Sequence, residues 1–155
     1  MAGTRDGSPP RWLKPVNRAI IVLNRLGLSV ENGAVLTVQG RRTAAPRRTP
    51  VSVLALDGQR YLLAAFPAAE WPRNVRAAGG AATPAVGRRS ERVRLVELAP
   101  DAALPILRAW PERIPQGAKV MVDAGVLPAA TPDAFGALAG RCPVFLVESS
   151  ALPET

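Results

Sequence analysis

The chain has 155 residues, with 20 Lys or Arg against 12 Asp or Glu, no histidine and a single cysteine, Cys142. That length suits one domain able to bury roughly 68–70% of the surface its unfolded chain exposes. The composition excludes an internal disulfide, imidazole catalysis and the usual His/Cys metal spacings, so no metal site is expected; no apolar run reaches the roughly 18 residues of a membrane span.

Charge is unevenly distributed. Residues 1–50 hold nine Arg/Lys and two Asp/Glu, residues 51–100 seven and four, residues 101–155 four and six. A basic first half implies an anionic partner: nucleic acid, a membrane surface or a phosphorylated small molecule. The bland alternative is that the arginines serve only solubility.

Residues 1–10, "MAGTRDGSPP", read as a polar Pro/Gly-rich tail without the apolar core of a signal peptide. With one cysteine, a reducing cytoplasm is the simplest expectation. Residues 11–28 follow as a basic amphipathic helix ending near Gly27. Trp12, Leu13, Val16, Ala19, Ile20, Leu23 and Leu26 fall near helical spacing, with Arg11, Lys14, Arg18 and Arg25 mostly on the other side. Pro15 belongs in the first turn or divides the segment. Such a stripe either covers a sheet or lies weakly on an anionic bilayer surface, which leaves membrane association open.

The period then changes to two. "AVLTVQG" (34–40) reads as a strand, and "PVSVLALDGQRYLLAAF" (50–66) as a hairpin about Asp57-Gly58. Between them "GRRTAAPRRTPV" (40–51) crowds Arg41, Arg42, Arg47 and Arg48 into a connection at one rim, with Pro46 and Pro50 limiting its freedom. Thr43 and Thr49 add hydroxyl donors. Guanidinium groups and backbone amides converging in such a loop match phosphate or clustered carboxylates; a solvated basic loop is the alternative. Residues 70–80 read as a short helix closed by glycine, and 81–98 as a second hairpin turning at Gly87 to Ser90, with Val93 and Leu95 on one face. Residues 101–114 look helical, with Asp101 as N-cap and punctuation at Pro105 and Pro111. Residues 115–141 mix helix and loop, with a helix starting at Asp133, and 143–149 form a last apolar strand. Trp12 and Trp110 read as helix-packing residues and Cys142 as a small buried hydrophobe. About six strands with few helices argue for a single-domain, mainly β fold: a small antiparallel barrel with flanking helices over residues 11–149 and a tail at 150–155.

"LTVQGRRTAAPRRTPV" resembles the "GR-K/R-S/T-G-x-P-R-x-x-P" segment of the deazaflavin-dependent nitroreductase and quinone reductase family. The similarity continues in "YLLAAF", in "EWPRNVRAAGG" and in "RCPVFLVES". The resemblance implies a split β-barrel that uses reduced coenzyme F420 as hydride donor to a quinone- or nitro-like acceptor, with flavin mononucleotide a less favoured cofactor. It implies that Arg41, Arg42, Thr43 and Arg47 hold the phosphate and acidic tail of the cofactor, in a set that includes Pro46 and Arg48. Thr49, Pro50, Val51 and Ser52 would line the ring edge, with Ala64, Ala65 and Phe66 on the neighbouring strand. Trp71 and Asn74 would anchor the short helix, whose N-terminus would face the anionic chain. Ser52 is the first candidate to donate a hydrogen bond to the acceptor, and Tyr61, which can point into the barrel, the second.

Three features depart from that family pattern: the C-terminal segment "GVLPAATPDAFGALAG" has Phe135 as its single aromatic residue, where members that reduce bulky nitro compounds have tyrosines, and two further positions differ. Ala44 stands where glycine is usual, which disfavours a left-handed turn there, and Phe66 stands where serine is often found. The alternative is a non-catalytic protein of the same fold that binds cofactor, flavin or a lipid-like ligand. Nucleic acid is disfavoured because the basic stretch has no interleaved aromatic residues. The expected state is a monomer or homodimer.

Overall fold

A computed structural model describes residues 9–27 and 32–149; residues 1–8 of the N-terminal tail, Leu28 at the expected helix end and the tail at 150–155 lie outside the described residues. The alternating segments become β1 (Gly33–Gln39), β2 (Pro46–Leu56), β3 (Gln59–Leu63), β4 (Ala81–Val86), the two-residue β5 (Arg89–Ser90), β6 (Val93–Glu97) and β7 (Val144–Ser149). Antiparallel pairing runs β1-β2-β3-β7-β6-β4, and a further β1–β4 pairing closes the ring into a six-stranded barrel with β5 appended. Around the barrel lie α1 (Leu13–Arg25), α2 (Trp71–Ala77), α3 (Pro100–Arg113), α4 (Pro115–Asp123) and α5 (Pro132–Gly136). The expected mainly β, six-stranded barrel with flanking helices is the fold observed.

Alternation decides which side chains fill the barrel. Ala34, Leu36 and Val38 of β1 point inward with Leu62 of β3 and Phe145 and Val147 of β7. Intervening residues such as Leu54, Leu63 and Val144 point outward into a second core beneath α3, α4 and α5. Strands covered on both faces read as near-continuous apolar runs, as in "YLLAAF" and "PVFLV". α2 closes the barrel through Trp71 and Val75. Trp71 tilts at 45° against Phe145 with ring centroids 5.2 Å apart, a pair worth about 0.5–1.5 kcal/mol beyond its buried area.

Several local expectations change. Residues 46–50 are strand, not loop: β2 begins at Pro46 and its first seven residues pair with β1. Pairing with β3 begins only at Val53, so Pro46 and Pro50 lie where β2 has a partner on one side only and a missing N–H is tolerated. α3 runs through Pro105 and Pro111 and starts after Ala99, which makes Asp101 a first-turn residue and not the cap. Burial of Ile106, Leu107 and Trp110 holds that helix against the proline penalty. Tyr61 packs among the outward-facing residues under the helices, not into the barrel. Trp12 is 38% exposed, whereas Trp110 is buried as expected. Ala44 adopts the left-handed conformation that its side chain disfavours, with φ 62°. Two backbone hydrogen bonds hold it there, Ala44 N–H to Gly40 O at 3.0 Å and Gly40 N–H to Ala45 O at 2.8 Å.

α1 is attached at its ends. Leu13 is buried against Phe66 and Ala124. At the other end Asn24 accepts a 2.8 Å hydrogen bond from Gly87 N and donates one of 3.3 Å to Gly87 O. Between these anchors Val16, Val22 and Leu23 remain exposed, so the helix is an amphipathic strap across the barrel and not a fully packed element.

Candidate functional site

The strap leaves a cavity of about 610 Å³ beneath it, within the 300–1,000 Å³ range of small-molecule sites. Its roof is α1, through Trp12, Val16, Ile20 and Leu23. Its floor is the outer face of the β1–β2 ribbon, and its far wall is the α3–α4 junction and α4. Phe66 and Ala65 close one side. The exposed apolar stripe of α1 is therefore, in large part, the wall of this cavity.

Strand register places the polar residues relative to it. Gly33 faces Ser52, Val35 faces Pro50 and Thr37 faces Arg48 across the β1–β2 pair. Facing residues project to the same side, and each step of two stays on that side. Ser52, Pro50 and Arg48 thus form a row on the surface that α1 covers, with Arg48 about 13 Å along the strand from Ser52. Val38 faces Arg47, which puts Arg47 on the opposite, barrel-facing side at the end of the ribbon. Ser52 is half-buried, and its Oγ makes no hydrogen bond among the described residues. A Cβ on Gly117 would stand 3.2 Å from Ser52 Oγ and 3.0 Å from Ile114 Cγ2. Glycine is what lets the first turn of α4 approach the serine so closely.

The arginines of the ribbon divide by role. Arg41 is committed to the fold: its backbone N–H and Nη1 donate to Asn74 Oδ1 at 3.2 and 2.9 Å, and Nη2 donates to Glu70 Oε2 at 2.7 Å. That hydrogen bond, with the charges of Arg41, Arg73 and Arg42 behind it, holds the Glu70 carboxyl below its ordinary range against a smaller opposing effect of burial. Arg42, Arg47 and Arg48 are exposed and make no salt bridge among the described residues. Thr43 Oγ1 accepts a long 3.4 Å contact from Ala45 N within the turn.

The expected site residues therefore fall into three groups. Thr49, Pro50, Val51, Ser52, Ala65, Phe66 and Trp71 line the cavity. Arg41 and Asn74 sit together at the start of α2, a seven-residue helix whose N-terminal neighbour is already the carboxylate of Glu70. Arg42, Thr43, Pro46, Arg47 and Arg48 are exposed on the ribbon beyond the cavity, and Ala64 is fully buried in the barrel core. At the α3–α4 junction, three polar residues that line the cavity were not among the sequence candidates: Glu112, Arg113 and Gln116. The only cue to them is the punctuation of "PERIPQG", where Pro115 starts a new helix after Ile114.

No protein-family model matches the chain, and no curated protein matches it. Solved structures do. A domain-swapped dimer aligns at TM-score 0.55 and 18% identity, over 91% of this chain and 100% of that one. A protein of unknown function from Agrobacterium tumefaciens str. C58 aligns at TM-score 0.56 and 16% identity over 96% of this chain, which spans 60% of that longer protein. An F420-H2 dependent reductase, FDR-A, aligns at TM-score 0.45 and 21% identity over 79% of this chain and 100% of that one. At these identities the likeness is one of fold, the split barrel.

Proposed function

We propose that the chain is a split-barrel oxidoreductase that binds coenzyme F420 and passes its hydride to a quinone- or nitro-like acceptor in the cavity beneath α1. One observation carries the reading: a single strand, β2, presents Ser52 and Pro50 on the cavity floor and the salt-bridge-free Arg48 further along the same face. The residues fit such a group. The cavity is apolar and large enough for a flat ring, and Arg42, Arg47 and Arg48 offer charge-assisted donors for phosphate and carboxylate. Arg41 contributes by fixing the turn and not by direct contact, because its donors are already used by Asn74 and Glu70.

When bound, the deazaflavin supplies the hydride. Ser52 donates a hydrogen bond to the acceptor oxygen on which negative charge develops. Phe66 and the apolar stripe of α1 would keep water from that oxygen, and Arg48 would hold the anionic end of the cofactor. No acid–base pair is needed for this step, in keeping with a chain that lacks histidine. Incubation with reduced coenzyme F420 and a soluble naphthoquinone tests the reading, followed by recovery of the oxidised cofactor's absorbance. Turnover that falls in Ser52→Ala supports it, and binding without turnover of any quinone or nitro compound returns the chain to the role of a ligand carrier.

That carrier reading, for a flavin or lipid-like ligand, draws on the apolar roof of Trp12, Val16 and Leu23. The same helix also gives the membrane contact a physical basis. Val22 and Leu26 point away from the cavity, beside Lys14, Arg18 and Arg25, and no helix among the described residues is long and apolar enough to cross a bilayer. The contact would be interfacial. Flotation with anionic liposomes, with and without residues 1–28, decides it; equal flotation leaves α1 only its role as roof.

A further inference from the structure

A second pocket, of about 240 Å³, adjoins the main cavity at Ala69, which borders both. It is too small for a drug-sized ligand and has room for one small ion with water, whose share of liquid volume is about 30 Å³ per molecule. Its charged side chains are Arg73, Arg76, Glu97 and Arg141. Arg76 and Glu97 form a two-pronged pair, Nε to Oε1 at 2.7 Å and Nη2 to Oε2 at 3.0 Å, and so neutralise each other. Arg73 and Arg141 make no salt bridge among the described residues. Arg73, whose charge also acts on Glu70, and Arg141, both exposed, therefore border a pocket whose inner wall is apolar, through Cys142 and Val144, and whose rim is stiffened by Pro67, Pro72, Pro100 and Pro143.

We propose that this pocket is an anion site, which takes one small oxoanion, a phosphate or carboxylate group, between Arg73 and Arg141, with Arg76 fixed beside it by Glu97. Arg73 borders the pocket from α2 and Arg141 from the segment before β7, so the pocket carries an excess of positive charge, and a guanidinium fork matches the two oxygens of either group. The stiff rim lowers the cost of ordering the site on binding. Glu97 does not compete, because both its oxygens are bound to Arg76. The site is distinct from the ribbon arginines and does not depend on the cofactor reading: Arg73 and Arg76 lie on α2 and Arg141 precedes β7, whereas Arg42, Arg47 and Arg48 lie on the β1–β2 ribbon.

The test is a nitrogen–proton NMR titration of the full chain at low ionic strength, reading the arginine Nε–Hε signals and the backbone amides of residues 140–142. Sodium phosphate and sodium glutarate form the two arms, with sodium chloride at matched ionic strength as control. Saturable shifts at Arg73 and Arg141 are expected, weakened about tenfold in Arg73→Gln and in Arg141→Gln, with the melting temperature of each variant checked against the parent. Tighter binding of phosphate assigns the site to a phosphoryl group, and tighter binding of glutarate to a carboxylate. Shifts reproduced by sodium chloride, saturation that survives in the double variant, or shifts confined to Arg42, Arg47 and Arg48 would each overturn the proposal.

Discussion

Replacing Asn24 with alanine should free one end of α1 while leaving the barrel intact. Asn24 is only 7% exposed and ties the helix to Gly87 by two hydrogen bonds, accepting from the backbone N–H and donating to the carbonyl. Each such bond is worth about 1 kcal/mol net, so their loss amounts to about 2 kcal/mol, or about 30-fold in the equilibrium between docked and open helix. Because the other contacts of α1 among the described residues are Leu13, the packing of Gly27 beside Gly87 and Arg88, and partial contacts of its inner face, the cost should appear as local opening and not as global unfolding. Amide hydrogen exchange measures both at once. The α1 amides are expected to exchange about 30-fold faster in Asn24→Ala, while those of β3, β6 and β7 change by less than about twofold. Equal acceleration in helix and barrel would refute the strap; so would unchanged protection of α1.

Three further predictions concern strain and titration. Ala44→Gly should stabilise the chain: relief of left-handed strain, about 1–2 kcal/mol, outweighs the about 0.5–1 kcal/mol of extra entropy that glycine loses on folding, and a melting point raised by about 1–4 °C checks it. Glu70→Gln should be less stable than the parent at neutral pH. The folded-state pKa of Glu70 is depressed by Arg41, so its contribution is present above the unfolded value and lost as pH falls through the folded one. The gap between parent and variant in chemical denaturation should close as the solution is acidified below about pH 4; a gap that persists there contradicts the ion-pair account. Burial pushes the Cys142 thiol up to about 11, with Arg141 pulling weakly the other way. Native protein should therefore resist a disulfide reagent at pH 8 and react once unfolded. The same shift gives a contribution to stability that is full below about pH 8.5, the unfolded thiol value, and lost as pH rises toward about 11.

Much of the barrel was legible because period-two alternation and the Asp57-Gly58 turn are local signals, and both survive in β2 and β3. The cavity was less so. The apolar stripe of α1 reads the same whether it packs on a sheet, a bilayer or a void, and only the placement of Leu13 and Asn24 shows that the middle of the helix bridges a gap. The arginines of "GRRTAAPRRTPV" were visible as a cluster, yet their division depends on register: facing Thr37 or Val38 sends Arg48 and Arg47 to opposite sides. Ala44 misled because its cost is local, whereas the bonds of Gly40 that impose the turn close only when the hairpin forms. Glu112, Arg113 and Gln116 reach the cavity through a helix junction whose position no periodicity encodes.

The central claim is that the exposed arginines of the ribbon grip the anionic end of a cofactor whose ring lies under α1. Fluorescence titration of coenzyme F420 tests it, with the parent chain, Arg48→Gln and Arg42→Gln/Arg47→Gln. The account predicts one site in the parent and a loss of about 2–3 kcal/mol in Arg48→Gln, with a melting temperature close to the parent's. Affinity that is the same in all three proteins, or no saturable binding in any, would contradict it.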